Sequence, residues 1–124
     1  MPIDVSWHTK NKIIICRCYG DLSDINLLRQ TQSAINQLVA DSDDTQGVVH
    51  QIFVFENLTK TISFRDINTA TTGVKPHDRT GWTLLVGIED TLQRIIAKVA
   101  VNMTTHQVML MDSLEDALTF LNDI

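Results

Sequence analysis

The densest group of chemically capable side chains in the sequence is the segment Lys75–Arg79. It carries an ammonium, an imidazole, a carboxylate and a guanidinium within five residues, and Trp82 follows shortly after it. Such a loop can bind an anion or the acidic surface of a partner, and charges of this kind also serve simply to keep a connection solvated. The sequence thus predicts a solvated connection, with a ligand or anion loop as the alternative; the candidate residues of that loop are Lys75, His77, Arg79 and Trp82.

Two cysteines are the next candidates for chemistry. Cys16 and Cys18 are separated by one residue, so their side chains share a face if the segment is a strand. A metal site needs about four ligands, and no second cysteine pair or histidine pair at ligand spacing supplies them. A nucleophilic thiol needs a base, and the sequence identifies none for either cysteine. Both are therefore predicted to be small hydrophobic residues of a core face.

No enzyme signature accompanies these groups. The sequence has no Gly-x-Ser-x-Gly elbow. Its candidate strand–helix turns at Gly20–Ser23 and Gly87–Asp90 contain acids, which would repel a bound phosphate. His8 and His106 are predicted to be solvated, and His50 to be a hydrogen-bonded structural residue. The prediction is a non-enzymatic protein without cofactor or metal.

Length, charge and composition exclude further classes of protein. The chain has 124 residues, which fits one domain over 1–124, and its net charge of −5 gives no basic face for nucleic acid. No window of 18 consecutive apolar residues is present, so no membrane-spanning helix is predicted. The first residues, Met1-Pro2-Ile3-Asp4, lack the features of a signal peptide. The expected location is the cytoplasm.

Hydrophobic periodicity predicts the elements that position these residues. Period-two alternation and β-branched runs predict five strands, over Ile3–Trp7, Lys12–Tyr19, Val48–Phe55, Trp82–Val86 and Gln107–Met111. Spacings of three and four residues predict four helices, over Leu22–Ala40, Phe64–Thr72, Glu89–Met103 and from Ser113 almost to Ile124.

The connections and caps complete this prediction. Asp21 or Ser23 is predicted to cap the first helix, and Ser113 followed by Asp116 resembles a capping box. A loop closed by glycines is predicted over Gly73–Gly81. The element order is β-β-α-β-α-β-α-β-α. Because strand–helix–strand connections cross over right-handedly, the last four strands should be parallel and the first antiparallel at an edge, giving a mixed five-stranded α/β sheet.

This order and several motifs resemble the STAS superfamily of sulfate-transporter and anti-sigma-factor antagonist domains, and in particular its SpoIIAA-like branch. In that branch a buried strand precedes an Asp/Asn-Leu-Ser/Thr segment, then Val/Ile-Ser-Phe, and then Asp-Ser-Ser-Gly at the next helix. Gly81-Trp82 and the closing run from Asp112 also resemble the later part of that branch. The equivalents of the earlier motifs here are Phe53-Val54-Phe55, Asn57-Leu58-Thr59, Ile62-Ser63-Phe64 and Asp66-Ile67-Asn68-Thr69.

The resemblance implies a regulatory module that binds a protein partner, such as a kinase or an anti-sigma-like regulator. In partner-switching members a kinase phosphorylates a serine at that helix start, and the added charge breaks the complex. The motif places this serine at Asn68, which cannot be phosphorylated, and Thr69 follows one residue late. The resemblance therefore implies an interaction surface without the usual phosphoserine switch; its partner-binding residues are Ser63, Asp66, Asn68 and Thr69.

A second hypothesis stays open beside this one. Related branches of the superfamily suggest a binding protein for a small apolar or anionic ligand, held at strand ends near His77 and Trp82. A homodimer through an edge strand or a helix face is compatible with both hypotheses.

Overall fold

The chain forms a five-stranded sheet with helices against it. The computed structural model describes residues 3–42, 47–60, 79–87 and 107–124. The strands are β1 (Ile3–Thr9), β2 (Ile13–Asp21), β3 (Val49–Lys60), β4 (Thr80–Val86) and β5 (Val108–Met111), and the described helices are α1 (Ile25–Ala40) and α2 (Leu114–Asn122).

The strands lie in the sheet in their order along the chain, β1-β2-β3-β4-β5. β1 pairs with β2 antiparallel, and β2 to β5 are parallel to one another. The predicted α/β class with a mixed five-stranded sheet is confirmed. The helices predicted over 64–72 and 89–103 lie outside the described residues.

Each face of the sheet buries its own apolar cluster, because successive side chains of a strand point to opposite faces. Ile52 and Val54 of β3 contribute to one cluster, whereas Val49 and Phe53 contribute to the other. α2 packs on the first face, against β3, β4 and β5. On the second face, Ile35 and Val39 of α1 pack into the other cluster. The middle of β3 is therefore covered on both faces.

α1 begins later than its apolar spacing predicts. The carboxylate of Asp21 accepts hydrogen bonds from both the backbone N–H (2.9 Å) and the hydroxyl (2.6 Å) of Ser23, which closes a turn before the helix. The helix cap is Asp24, whose Oδ1 accepts from the backbone N–H of Asn26 at 2.9 Å. The prediction of Asp21 or Ser23 as cap was therefore wrong, since both side chains take part in the turn.

α2 begins where the sequence predicts. The hydroxyl of Ser113 accepts a hydrogen bond from the backbone N–H of Asp116 at 3.1 Å, and so satisfies one of the donors that a helix start leaves unpaired. Ala117 and Leu121 are buried one turn apart on its inner face.

Four strands, β1 to β4, are longer than predicted, and the extensions of β3 and β4 bear on the candidate sites. β3 continues through Lys60 rather than ending at Phe55, because β2 remains paired with it as far as Asp21. β4 begins at Thr80, so Gly81 lies inside a strand and does not close a loop. Among the helices of the described part of the chain, none combines the length and apolarity needed to cross a bilayer.

Candidate interaction surface

The predicted partner-binding residues Ser63, Asp66, Asn68 and Thr69 lie outside the described residues, but the structure fixes where the chain enters that segment. β3 ends at Lys60, whose partner on β2 is Asp21, at the carboxyl end of both strands. Ser63 follows three residues later, a reach of at most about 10 Å. In open α/β sheets, ligands bind outside this carboxyl edge of the strands.

The carboxyl ends of β2 and β3 form an irregular two-stranded extension. β4 pairs with β3 only as far as Val54, whereas β2 continues along β3 to its end. The register shifts twice there: Tyr19, Gly20 and Asp21 of β2 pair with Glu56, Leu58 and Lys60 of β3. Asn57 and Thr59 are therefore extra residues of β3 without a partner on β2. Bulges are rare between parallel strands, and they re-aim side chains at the rims of sheets and beside functional sites.

Asn57 marks the first of these bulges by its backbone conformation. Its φ is 49°, in the left-handed region that asparagine tolerates better than most residues. Asn57 and Thr59 are both exposed, while their neighbours on β3 stay paired with β2. The extension therefore presents polar side chains beyond the regular sheet, directly before the predicted partner-binding segment.

An exposed ion pair crosses this extension from β2 to β3. Nη1 of Arg17 lies 3.0 Å from Oε1 of Glu56, and the two side chains are 48% and 50% exposed. An ion pair this exposed adds about 0 to 1 kcal/mol to stability, because water and salt screen it. Its two charges are therefore held in place on the surface, where a partner can contact them at little cost to the fold.

Tyr19 lies beside this ion pair on the same face of the sheet. It is paired with Glu56 and is 39% exposed, although it is a large aromatic side chain. Partial desolvation raises the pKa of its phenol, and the carboxylate of Asp4, which also forms a hydrogen bond with it, raises the pKa further. Tyrosine and arginine are enriched among the residues that dominate binding energy at protein interfaces. We call Arg17, Tyr19, Asp21, Glu56 and Asn57 the carboxyl-edge surface.

Arg79, a member of the candidate ligand loop, lies at the opposite end of the sheet. Its Nε donates to the carbonyl of Gly47 at 2.9 Å, and its Nη1 donates to the carbonyl of Val39 at 3.1 Å and to Oγ of Ser42 at 3.0 Å. The Val39 carbonyl belongs to the last turn of α1, where helices leave acceptors unpaired. Arg79 thus fastens the end of α1 to the start of β3 and β4.

Trp82, the other described member of that loop, packs against the core. Its ring meets that of Phe120 on α2 edge-on, with centroids 5.1 Å apart and planes at 88°. β4 carries an extra residue here, between Thr80 and Thr83, relative to β3. The backbone N–H of Trp82 donates to Nδ1 of His50 at 2.9 Å, which confirms His50 as a hydrogen-bonded structural residue. Lys75 and His77 lie outside the described residues.

Gly81 makes room for that histidine. A Cβ at this position would lie 2.7 Å from Cε1 and Nδ1 of His50 and 2.5 Å from Cγ1 of Val48. Only a residue without a side chain lets the imidazole reach the backbone of β4. The glycine that the sequence pattern assigned to a loop is needed inside the strand.

Stability should depend on the protonation of His50. Burial lowers the pKa of its imidazole, and its Nδ1 must be unprotonated to accept from Trp82. As pH falls through the usual value of 6.5, the unfolded chain takes up the proton before the folded one, so stability is lost. Urea denaturation at pH 7.5 and 5.5 measures this loss. His50→Asn keeps an acceptor without the titration and should show a smaller loss; equal losses in both proteins would contradict the prediction.

The cysteines have the structural role that the sequence predicts. Cys16 and Cys18 are free thiols, 0% and 2% exposed, and both belong to the apolar cluster beneath α1. Burial raises the pKa of both thiols, that of Cys18 to about 12, so neither is a thiolate at neutral pH. Within the described residues, no group of three or more His, Cys, Asp or Glu side chains is placed to hold a metal ion.

A buried chain of polar side chains was not anticipated. Gln51 is 2% exposed in the middle of β3, and its Nε2 donates to Oγ1 of Thr83 at 2.8 Å. Nε2 of Gln32 on α1 lies 3.5 Å from Oε1 of Gln51 and donates to Oδ1 of Asn36 at 2.9 Å. The only sign of this arrangement in the sequence is a polar residue, Gln51, within an apolar strand. Its partners Gln32 and Thr83 lie 19 and 32 residues away along the chain, so the sequence does not reveal them.

Comparisons with known proteins give no relative for this arrangement. No protein-family model, no curated protein and no solved structure matches the chain. The likeness to the STAS superfamily therefore depends on the sequence motifs and on the element order alone.

Proposed function

We propose that this chain is a non-enzymatic regulatory module of the anti-sigma-factor antagonist type, which binds a protein partner and lacks the usual phosphoserine switch. The observation that carries the proposal is the carboxyl-edge surface, where an exposed tyrosine and an exposed ion pair lie beside two bulges in a parallel strand pair. β3 carries part of that surface and ends at Lys60, three residues before Ser63, the first of the partner-binding residues that the family resemblance implies.

The chemistry of the surface suits a protein partner. It combines an exposed aromatic ring with a guanidinium and carboxylates on neighbouring strands, so one partner can meet both apolar and charged contacts. The backbone positions of the surface are held by the pairing of β2 with β3, which continues past the two bulges to Lys60. A rigid scaffold reduces the entropy lost on binding.

The test is a pull-down from native lysate of the producing cells, with the purified chain as bait. We expect the wild-type chain to recover a partner in stoichiometric amount, and the variants Tyr19→Glu and Asp66→Lys to lose it. Asn122→Glu, which adds the same charge at an exposed position at the end of α2, serves as the matched control and should retain the partner. Failure to recover any stoichiometric partner, or equal recovery by Tyr19→Glu and the control, would reject the proposal.

One observation favours the second candidate, a binding protein for a small apolar or anionic ligand near Trp82. The hydroxyl of Thr80 is buried and has no hydrogen-bond partner within the described residues; an unpaired buried hydroxyl costs free energy, and a bound ligand is one group that would pair with it. Native mass spectrometry of the freshly purified chain separates the two candidates. A co-purified small mass supports ligand binding, and a clean mass of 14.0 kDa supports the interaction module.

A further inference from the structure

β1 is an edge strand whose sequence is complementary to itself. It lies at the end of the sheet, and among the described strands it pairs with β2 alone. Edge strands expose backbone N–H and C=O groups to other chains, and proteins usually protect them with lysine, proline or an early bulge. The stretch Ile3–Trp7 contains no lysine or proline and is regular, since the irregularity of β1 begins only after Trp7.

The complementarity appears when two copies of β1 are placed antiparallel about Ser6. Ser6 then faces Ser6 of the second copy, and Val5 faces Trp7, a pair that occurs twice; His8, opposite Asp4, lies at the irregularity of β1. On one face this matches an aromatic ring with a β-branched side chain, which is a favourable cross-strand pair, and on the other it brings two hydroxyls within hydrogen-bonding reach. Asp4, Ser6 and His8 are exposed, and Val5 and Trp7 are half-buried, so all have surface left to cover.

The helix beside this edge is also suited to self-association. α1 contacts β1, and its single ionisable side chain, Arg29, is half-buried, so that its exposed positions are uncharged. Charged residues are depleted from the centres of protein interfaces. The solvent-facing side of a helix on a protein surface, by contrast, usually carries several charged residues. When two copies meet through β1, no like charges on the exposed face of α1 are brought together. The exposed residues of α1 are Asn26, Gln30, Ser33, Ala34, Gln37 and Ala40.

We propose that the chain forms a two-fold symmetric dimer by antiparallel pairing of β1 with β1 of a second copy, centred on Ser6, so that the two sheets join into one of ten strands. The carboxyl-edge surface of each copy is not part of the paired strand, and a dimer therefore presents that surface twice. Two linked surfaces raise the apparent affinity for a partner that is itself multivalent.

Symmetry gives a specific test, because the residue on the axis meets itself. We expect the wild type to sediment in analytical ultracentrifugation with twice the mass of 14.0 kDa. Ser6→Lys and Ser6→Glu should each weaken the dimer by about tenfold or more, since like charges then face each other. An equimolar mixture of the two variants should restore the dimer, because the ammonium introduced in one copy then faces the carboxylate introduced in the other.

A cysteine variant tests the register directly. Opposed residues of antiparallel strands have Cα atoms about 4.5 to 5.5 Å apart, within the range that a disulfide spans. Ser6→Cys should therefore form a covalent dimer under mild oxidation, while Thr119→Cys, at an exposed position of α2, should not. A monomeric wild type at all concentrations up to about 0.5 mM would overturn the proposal, as would a dimer that Ser6→Lys leaves unchanged. Neither result depends on whether a partner binds the carboxyl-edge surface.

Discussion

Replacing Gly87 with alanine is expected to lower the free energy of unfolding by about 3 kcal/mol or more. Gly87 ends β4 with a φ of 86°, a left-handed conformation that costs an L-residue about 1 to 2 kcal/mol. A Cβ there would also lie 2.4 Å from the carbonyl oxygen of Phe55. That oxygen belongs to the backbone of the central strand β3, so it cannot move away without disturbing strand pairing.

Gly20 is the matched control for this prediction. Its φ of 72° is also left-handed, but a Cβ at Gly20 would have no atom within 4 Å. Gly20→Ala should therefore cost only the conformational strain, about 1 to 2 kcal/mol, and the difference between the variants measures the contact with Phe55. Urea unfolding followed by tryptophan fluorescence gives both values. If both variants lose the same free energy of unfolding, the close approach to Phe55 does not contribute to the cost, and the prediction is wrong.

The sheet was predictable because its signals are local. Alternation in the strands and three-to-four-residue spacing in α1 and α2 decide which side chains are buried, and each signal is contained within one element. The parallel direction of β2 to β5 followed from the helical spacing between them and the handedness of crossover connections. His50 and the two cysteines were placed correctly for the same reason, since each lies within a strong strand.

The candidate surface was less predictable, because it depends on pairings between distant segments. Asn57 and Thr59 resemble a turn in sequence, and only the continued pairing with β2 makes them bulges within a strand. Arg79 resembles an anion ligand until the carbonyl of Val39, 40 residues earlier, is known to lie beside it. Likewise, nothing in the sequence around Gly81 indicates that it lies in a strand. A glycine is favoured there because the ring of His50 on β3 lies against its backbone.

The buried contact between Gln51 and Thr83 leads to the second large prediction. Thr83→Val keeps the shape of the side chain but removes the oxygen that accepts from Nε2 of Gln51. The amide is then buried at 2% exposure without that partner, and the expected cost is about 2 kcal/mol. Removing both polar groups in Gln51→Leu/Thr83→Val avoids leaving a buried donor unpaired. The double variant should therefore be more stable than the sum of the single losses predicts.

The double-mutant cycle decides what this buried hydrogen bond contributes. Unfolding free energies of the wild type, Gln51→Leu, Thr83→Val and the double variant should give a coupling of about 1 kcal/mol or more between the two positions. Additive losses would mean that Gln51 finds another acceptor when Thr83 is replaced. A strong coupling would mean instead that the polar pair favours this register between β3 and β4, because a slip of β4 by one residue would turn Thr83 to the opposite face, away from Gln51.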